Sequence, residues 1–247
     1  MKKHFKRITI SIAALCILCY GALSLYASDF YRSDAIAAAA LNSDDTVSVE
    51  LTDDMAIFRP QNIEAGFIFY PGGKVEYTAY APLMYKLAQN NIVCIITEMP
   101  FNLAVMDINA ANKAYEKIAN TDNWYIGGHS LGGSMAALFA ADSDIDFDGL
   151  ILLASYSTAD LSDKDIDVIS IYGTEDGVLN MEKYQQYYSN LPDDTTEVVI
   201  DGGNHAQFGS YGAQDGDGTA KISASDQLEI TAEKIIDFIR CKYAAPS

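Results

Sequence analysis

Basic side chains are scarce in this sequence: 16 lysines and arginines stand against 34 aspartates and glutamates, giving a net charge of −18 with histidine neutral. Such a surface repels nucleic acid and anionic lipid headgroups, so no nucleic-acid partner is expected. Cysteine is scarce as well. Cys16 and Cys19 lie inside an apolar segment, Cys94 sits in a run that reads as a buried strand, and Cys241 is near the end. This placement suggests no zinc or redox site, so neither metal nor cofactor is expected. A buried free thiol is the ordinary state for Cys94, with a Cys94–Cys241 bridge as the alternative. Histidine is scarcest: His4, His129 and His205 are the whole supply. Any histidine-dependent chemistry must use one of these three. Internal repeats and low-complexity tracts are lacking.

What is present is enough apolar material for one sizeable core, 49% of 247 residues. The N-terminus differs in character from the rest. Met1 to Arg7 carries Lys2, Lys3, Lys6 and Arg7 with no acid, and Ile8 to Ala27 carries no charge at all. About twenty apolar residues suffice to cross a bilayer core as a helix. The basic flank would stay cytoplasmic and leave the bulk of the chain outside. An uncleaved anchor is the expectation. A cleaved signal peptide is the alternative, with Ala22-Leu23-Ser24 as a small-x-small site and a secreted product. The expected organisation is therefore an anchor or signal segment over 1–28, a linker with a short capped helix (Ser33–Leu41) over 29–45, and one domain over 46–247.

Beyond the linker, short apolar runs alternate with helical patterns. Strands are predicted at Val47–Leu51, Met55–Phe58, Gly66–Tyr70, Ile92–Thr97, Trp124–Gly127, Gly149–Leu153, Val168–Tyr172 and Glu197–Ile200. The first two form an antiparallel pair joined by Thr52-Asp-Asp54. Helices are predicted near 79–89, 108–119, 131–141, 181–190 and 225–242. This alternation implies an α/β fold: a mainly parallel eight-stranded sheet with helices on both faces. In such sheets ligands bind beyond the carboxyl ends of the strands. Only Ala154 to Asp167 separates two successive strands near that edge, too little chain for a large cap domain, so the cleft should be open.

Gly128-His-Ser-Leu-Gly132 follows a predicted strand and opens a predicted helix. That is the setting in which G-x-S-x-G holds a serine on a sharp turn as a nucleophile. Side chains at 128 and 132 would clash where helix passes strand. The competing reading makes Ser130 an ordinary helix N-cap. A serine hydroxyl needs an adjacent base. His4 lies in the basic flank, and the side chain of His129 should point away from the reactive face of Ser130. His205 remains, in Asp201-Gly-Gly-Asn-His205 after the last strand. A carboxylate must orient the base. Asp176, in Tyr-Gly-Thr-Glu-Asp-Gly-Val after the strand Val168–Tyr172, is the choice, with Glu175 as runner-up. The aspartates at 142, 144, 146 and 148, and at 160, 163, 165 and 167, read as solvated loops. Two backbone N–H groups should hold the oxyanion: Leu131, and one from the turn Tyr70-Pro-Gly-Gly-Lys-Val75. There Pro71 cannot donate, Gly73 is preferred, and Gly72 or Lys74 are alternatives.

Four stretches together resemble the α/β-hydrolases, in particular a compact capless group distantly similar to dienelactone hydrolase: Phe67-Ile-Phe-Tyr-Pro-Gly-Gly73, Gly127-Gly-His-Ser-Leu-Gly-Gly133, Tyr172-Gly-Thr-Glu-Asp-Gly-Val178 and Gly202-Gly-Asn-His-Ala-Gln-Phe208. The resemblance spans about residues 46 to 242 and implies a Ser-His-Asp site carried by Ser130, His205 and Asp176. Dienelactone hydrolase itself uses a cysteine where this chain has Ser130, so an oxygen ester or related acyl bond is the expected substrate, a small molecule or acyl group. A peptidase or acyltransferase on the same triad, or a non-catalytic binding protein on the same fold, are the alternatives. The glycine-rich stretch Ala206–Lys221 should form a lip over the site, with Lys74, Gln207, Phe208 and Tyr211 as candidate substrate contacts. Within it, Asp215-Gly-Asp-Gly218 reads as a polar turn, since the rest of a calcium loop does not follow.

Overall fold

A computed structural model describes residues 2–118 and 121–244. The chain divides at Phe30 into two separate units. The first holds helix α1 (Lys2–Ser28). Thr9–Ser28 within it has a mean hydropathy of 2.0. Twenty residues at 1.5 Å each make about 30 Å, the thickness of a bilayer core. This one N-terminal helix is long and apolar enough for a membrane span or a signal sequence.

The second unit is built on an eight-stranded sheet. In chain order its elements are α2 (Ala35–Ala40), β1 (Val47–Leu51), β2 (Met55–Pro60), β3 (Ala65–Tyr70), α3 (Ala81–Ala88), β4 (Ile92–Thr97), α4 (Ala110–Glu116), β5 (Trp124–His129), α5 (Leu131–Asp142), β6 (Gly149–Leu153), β7 (Asp167–Gly173), α6 (Met181–Tyr187), β8 (Thr196–Ile200) and α7 (Ala224–Ala244). The sheet order is β1-β2-β4-β3-β5-β6-β7-β8. β1–β2 and β2–β4 pair antiparallel and every later pair is parallel. The central strands β3, β4, β5 and β6 are buried along their whole length. They read as continuous apolar runs because both sheet faces are covered.

Alternation along those strands divides the core in two. Phe67, Phe69, Cys94, Ile96 and Tyr125 face α3 and α7, meeting Leu83, Met84, Ile235 and Ile239. Ile68, Tyr70, Val93, Ile95 and Ile126 face α4 and α5, meeting Ala111, Ala114, Ala136 and Phe139. Helix α5 can lie close because it presents mostly alanine and glycine to the sheet. Cys94 is buried and Cys241 exposed, and both are free thiols, so the alternative bridge is not formed.

The stretch expected as a linker is part of the folded body from Tyr31 onward. Tyr31 bridges Val75, Ser33 bonds Glu76 through its N–H (2.8 Å) and hydroxyl (3.0 Å), and Asp34 caps α2 through Ile36 and Ala37. The reason is local: Ala37 is fully buried, so a helix of small residues can seat tightly. Between β6 and β7 the chain forms only turns, without a cap domain.

Candidate active site

At the carboxyl end of β5 the chain must turn from strand to helix within one residue. Ser130 does so at φ 54° and ψ −122°, a conformation that L-residues rarely adopt, and its side chain makes no cap bond to α5. Ser130 thus occupies the N-cap position without the side-chain bond an ordinary N-cap makes. A positive φ at a non-glycine residue stores roughly 1–3 kcal/mol and persists only where its surroundings enforce it. Here they do. Ser130 N–H donates to Leu153 O at 2.9 Å, and Ser130 O accepts from Ser155 Oγ at 2.7 Å. The flanking glycines allow the close pass. A Cβ on Gly132 would overlap the carbonyl oxygens of Tyr70 and Pro71, and one on Gly128 would sit 2.5 Å from Tyr70 O.

The loops after β7 and β8 bring Asp176 and His205 together. His205 Nδ1 lies 2.8 Å from Asp176 Oδ2, with side chains 1% and 2% exposed. The other carboxylate oxygen accepts the N–H groups of Val178 (2.8 Å) and Leu179 (2.7 Å). Both oxygens of Asp176 are thus engaged, which assigns the proton of His205 to Nδ1 and the lone pair to Nε2. That Nε2 is buried and has no hydrogen-bond partner among the described residues, so the Ser130 hydroxyl is not bonded to it. Catalytic hydrogen bonds often close only once substrate is bound. Glu175, the runner-up, faces elsewhere: it pairs with Lys221 Nζ at 2.6 Å, and that bond lowers its pKa.

The turn after β3 sorts its own donors. Gly72 N–H is spent on Tyr80 Oη (3.0 Å) and Lys74 N–H on Asn102 O (2.7 Å), with Lys74 itself at φ 59°. Pro71 has none, so Gly73 remains. Gly73 packs on Leu131: a Cβ there would lie 3.1 Å from Leu131 Cδ2. The two residues expected to supply the oxyanion donors are therefore in contact through the Leu131 side chain.

His129, which does not line the cleft at Ser130, makes contacts that the sequence did not name. It alternates with Tyr125 onto the α3/α7 face, is buried, and its ring centroid lies 4.4 Å from that of His205. Its Nδ1 is 2.8 Å from Tyr80 Oη. Tyr80 Oη already accepts from Gly72, so it donates to His129 Nδ1. Burial pushes the His129 pKa well below 6.5 and that of Tyr80 up, keeping both neutral. Sequence spacing could have placed His129 on this face, because position 129 shares it with 125.

A cleft of about 230 Å³ opens at Ser130, among Ser130, Leu131, Tyr156, Val178, Leu179 and Asn180. None of the four candidate substrate contacts lines it. Phe208 and Tyr211 are core residues, 4% and 7% exposed. The Phe208 ring packs on His129 at 5.7 Å and that of Tyr211 on Tyr31 at 5.6 Å. Gln207 faces a separate cavity of about 450 Å³ behind the histidine loop, which contains neither Ser130 nor Leu131. Aromatic residues after a base seek the core first. The cleft residues instead follow the acid (Val178 to Asn180) and β6 (Tyr156), a signal present in the sequence. Among the described residues no group of three or more His, Cys, Asp or Glu side chains is arranged to hold a metal.

The model of the family described as the alpha/beta hydrolase family matches residues 66–229, a stretch that includes all three of these site residues. Several solved structures are similar. A protein of Thermus thermophilus, TT1662, has a TM-score of 0.60 at 11% identity, covering 81% of this chain and 99% of its own. A predicted CIB-like hydrolase from Thermoplasma acidophilum has a TM-score of 0.54 at 14% identity, covering 78% and 99%. A protein of Klebsiella pneumoniae subsp. pneumoniae MGH 78578, provisionally assigned as a dienelactone hydrolase, has a TM-score of 0.55 at 13% identity, covering 75% and 91%. At such identities the likeness is one of fold. No curated protein is significantly similar in sequence.

Proposed function

The chain belongs to the alpha/beta hydrolase family, and on that footing we propose that it is a serine hydrolase of carboxylic esters or related acyl bonds, working through Ser130, His205 and Asp176. Ser130 Oγ attacks the acyl carbonyl while His205 Nε2 takes its proton. Asp176 holds the imidazole in the required tautomer and stabilises the imidazolium. The N–H groups of Leu131 and Gly73 receive the oxyanion as it develops. His205 returns the proton to the leaving alkoxide, and water resolves the acyl-enzyme along the same route in reverse. The N-terminal helix anchors the enzyme in a membrane with the catalytic unit on the extracytoplasmic side.

Two observations together carry this reading: a serine held at positive φ, making no cap bond, at a helix start, and a buried carboxylate–histidine pair on the loops that follow β7 and β8. Strain and buried charge are both costly, and a nucleophile elbow accounts for them together. A cleft of this size seats a short acyl group. The test is turnover of nitrophenyl esters from acetate to decanoate by wild type, Ser130→Ala and His205→Ala. Wild type should prefer the short esters, and both variants should lose activity by about 10⁴-fold or more. Equal turnover by wild type and Ser130→Ala would refute the proposal.

A further inference from the structure

The glycine-rich stretch after His205 lines a cavity other than the cleft at Ser130, and one side chain in it, Asp217, bonds the backbones of both catalytic loops. Asp217 Oδ1 accepts the N–H groups of Gly177 (3.0 Å), His205 (3.2 Å) and Gly218 (2.8 Å), and Oδ2 accepts that of Ala206 (2.8 Å). Gly177 directly follows the acid, and His205 is the base itself. The acid and base loops leave the sheet from different strands; near the sheet Glu175 N–H donates to Gly203 O and Gly202 N–H to Thr174 Oγ1 (both 2.8 Å), and Asp217 joins the loops further out, at the acid and base themselves. The fit is close: a Cβ on Gly218 would overlap Glu175 O, and one on Gly177 would sit 2.7 Å from Gly216 O. Asn204 Nδ2 ties the same segment down by donating to Gly218 O at 2.9 Å.

We propose that Asp217 is a positioning residue that sets the Asp176–His205 pair, acting through the two loop backbones and touching no substrate. This inference rests on the hydrolase reading for its catalytic consequence but not for its structural one. A carboxylate suits the role because it offers acceptor sites only, enough for four N–H groups. An amide in its place turns an NH2 toward one of those donors and releases a loop. A shift of about 1 Å in a base can cost about 10²-fold in rate without weakening substrate binding.

The experiment uses the full-length protein in detergent, comparing wild type with Asp217→Asn, Asp217→Glu and the control Asp215→Asn, which removes the same charge two residues away. Two readouts are taken: kcat and KM on a short nitrophenyl ester, and hydrogen exchange by mass spectrometry over peptides 174–179 and 203–208. For Asp217→Asn and Asp217→Glu, kcat should fall 10- to 100-fold with KM within twofold, and exchange in those two peptides should quicken at least tenfold while the sheet stays protected. Asp215→Asn should match wild type in both. Should Asp217→Asn fail to fold, Asp217→Glu carries the comparison alone. Unchanged exchange in the two peptides, kcat within twofold of wild type, or equal losses in Asp215→Asn would each overturn the role given to Asp217. Failure of the hydrolase reading is distinguishable, because wild type would then hydrolyse no ester while the exchange comparison still reports on the clamp.

Discussion

Replacing Gly132 by alanine should damage both stability and activity, and the structure sets the scale. The new Cβ would overlap two main-chain oxygens, Tyr70 O and Pro71 O, and lie 2.7 Å from the Tyr70 carbonyl carbon. The oxygen overlaps are the tighter ones: restoring an ordinary carbon–oxygen separation of ~3.3 Å requires helix α5 and the end of β3 to part by about 1 Å. Neither side can yield by a rotamer change, because both are backbone. Overpacking in a core costs about 1–3 kcal/mol, and the upper end applies here. The displaced segment is also the turn carrying Gly73, so the oxyanion donors should separate and kcat/KM should fall by about 10²-fold. Urea unfolding followed through Trp124, the single tryptophan and a buried one, reads the first effect, and ester turnover reads the second. Gly212 is the contrast. It sits at φ 84° and a Cβ there would meet nothing within 4 Å, so Gly212→Ala should cost only the positive-φ penalty of about 1–2 kcal/mol. A Gly132→Ala protein within about 0.5 kcal/mol of wild type would refute the steric reasoning.

Asp176→Asn should lower kcat by about 10⁴-fold, whereas Glu175→Gln, which removes only an exposed pairing with Lys221, should stay within threefold; the reverse order would mean that the wrong carboxylate has been assigned. Buried His129 has its pKa pushed well below 6.5 by desolvation and by His205. On acidification the unfolded chain therefore takes up that proton first, and stability is full above about pH 6.5 and lost below it at about 1.4 kcal/mol per pH unit. His129→Asn should flatten this acid limb of unfolding free energy against pH, and an unchanged slope would show that His129 does not cause it. For the N-terminal helix, the protein should stay with membranes through a high-salt wash and retain Lys2 and Lys3. Recovery from the medium of a chain starting near Leu25 would establish cleavage instead.

Strand positions, the antiparallel start and the choice of Asp176 as the carboxylate against His205 were legible before the structure, because each follows from short-range pattern: apolar runs, glycines at turns, and polar residues just past a strand. Helices predicted at 79–89 and 181–190 begin or end as 3-10 turns at Tyr77–Tyr80 and Tyr188–Asn190, a tightening that periodicity cannot resolve. What stayed hidden was tertiary. Whether Phe208 and Tyr211 face solvent or core depends on where α7 and Tyr31 lie. Asp217 was a polar turn residue until four N–H groups from three segments were seen to converge on it. His129 could be placed on a sheet face by alternation, but its contact with His205 depends on a loop 76 positions away along the numbering of the chain.

The central claim is that Ser130 is a nucleophile, and a covalent adduct tests it most directly. The protein is treated with a fluorophosphonate, digested, and mapped by mass spectrometry alongside Ser130→Ala and His205→Ala. The account predicts one phosphonyl group per chain, carried by the peptide containing Gly128-His-Ser-Leu-Gly132, absent in Ser130→Ala and strongly slowed in His205→Ala. An adduct on another residue, or equal labelling of wild type and Ser130→Ala, would contradict it.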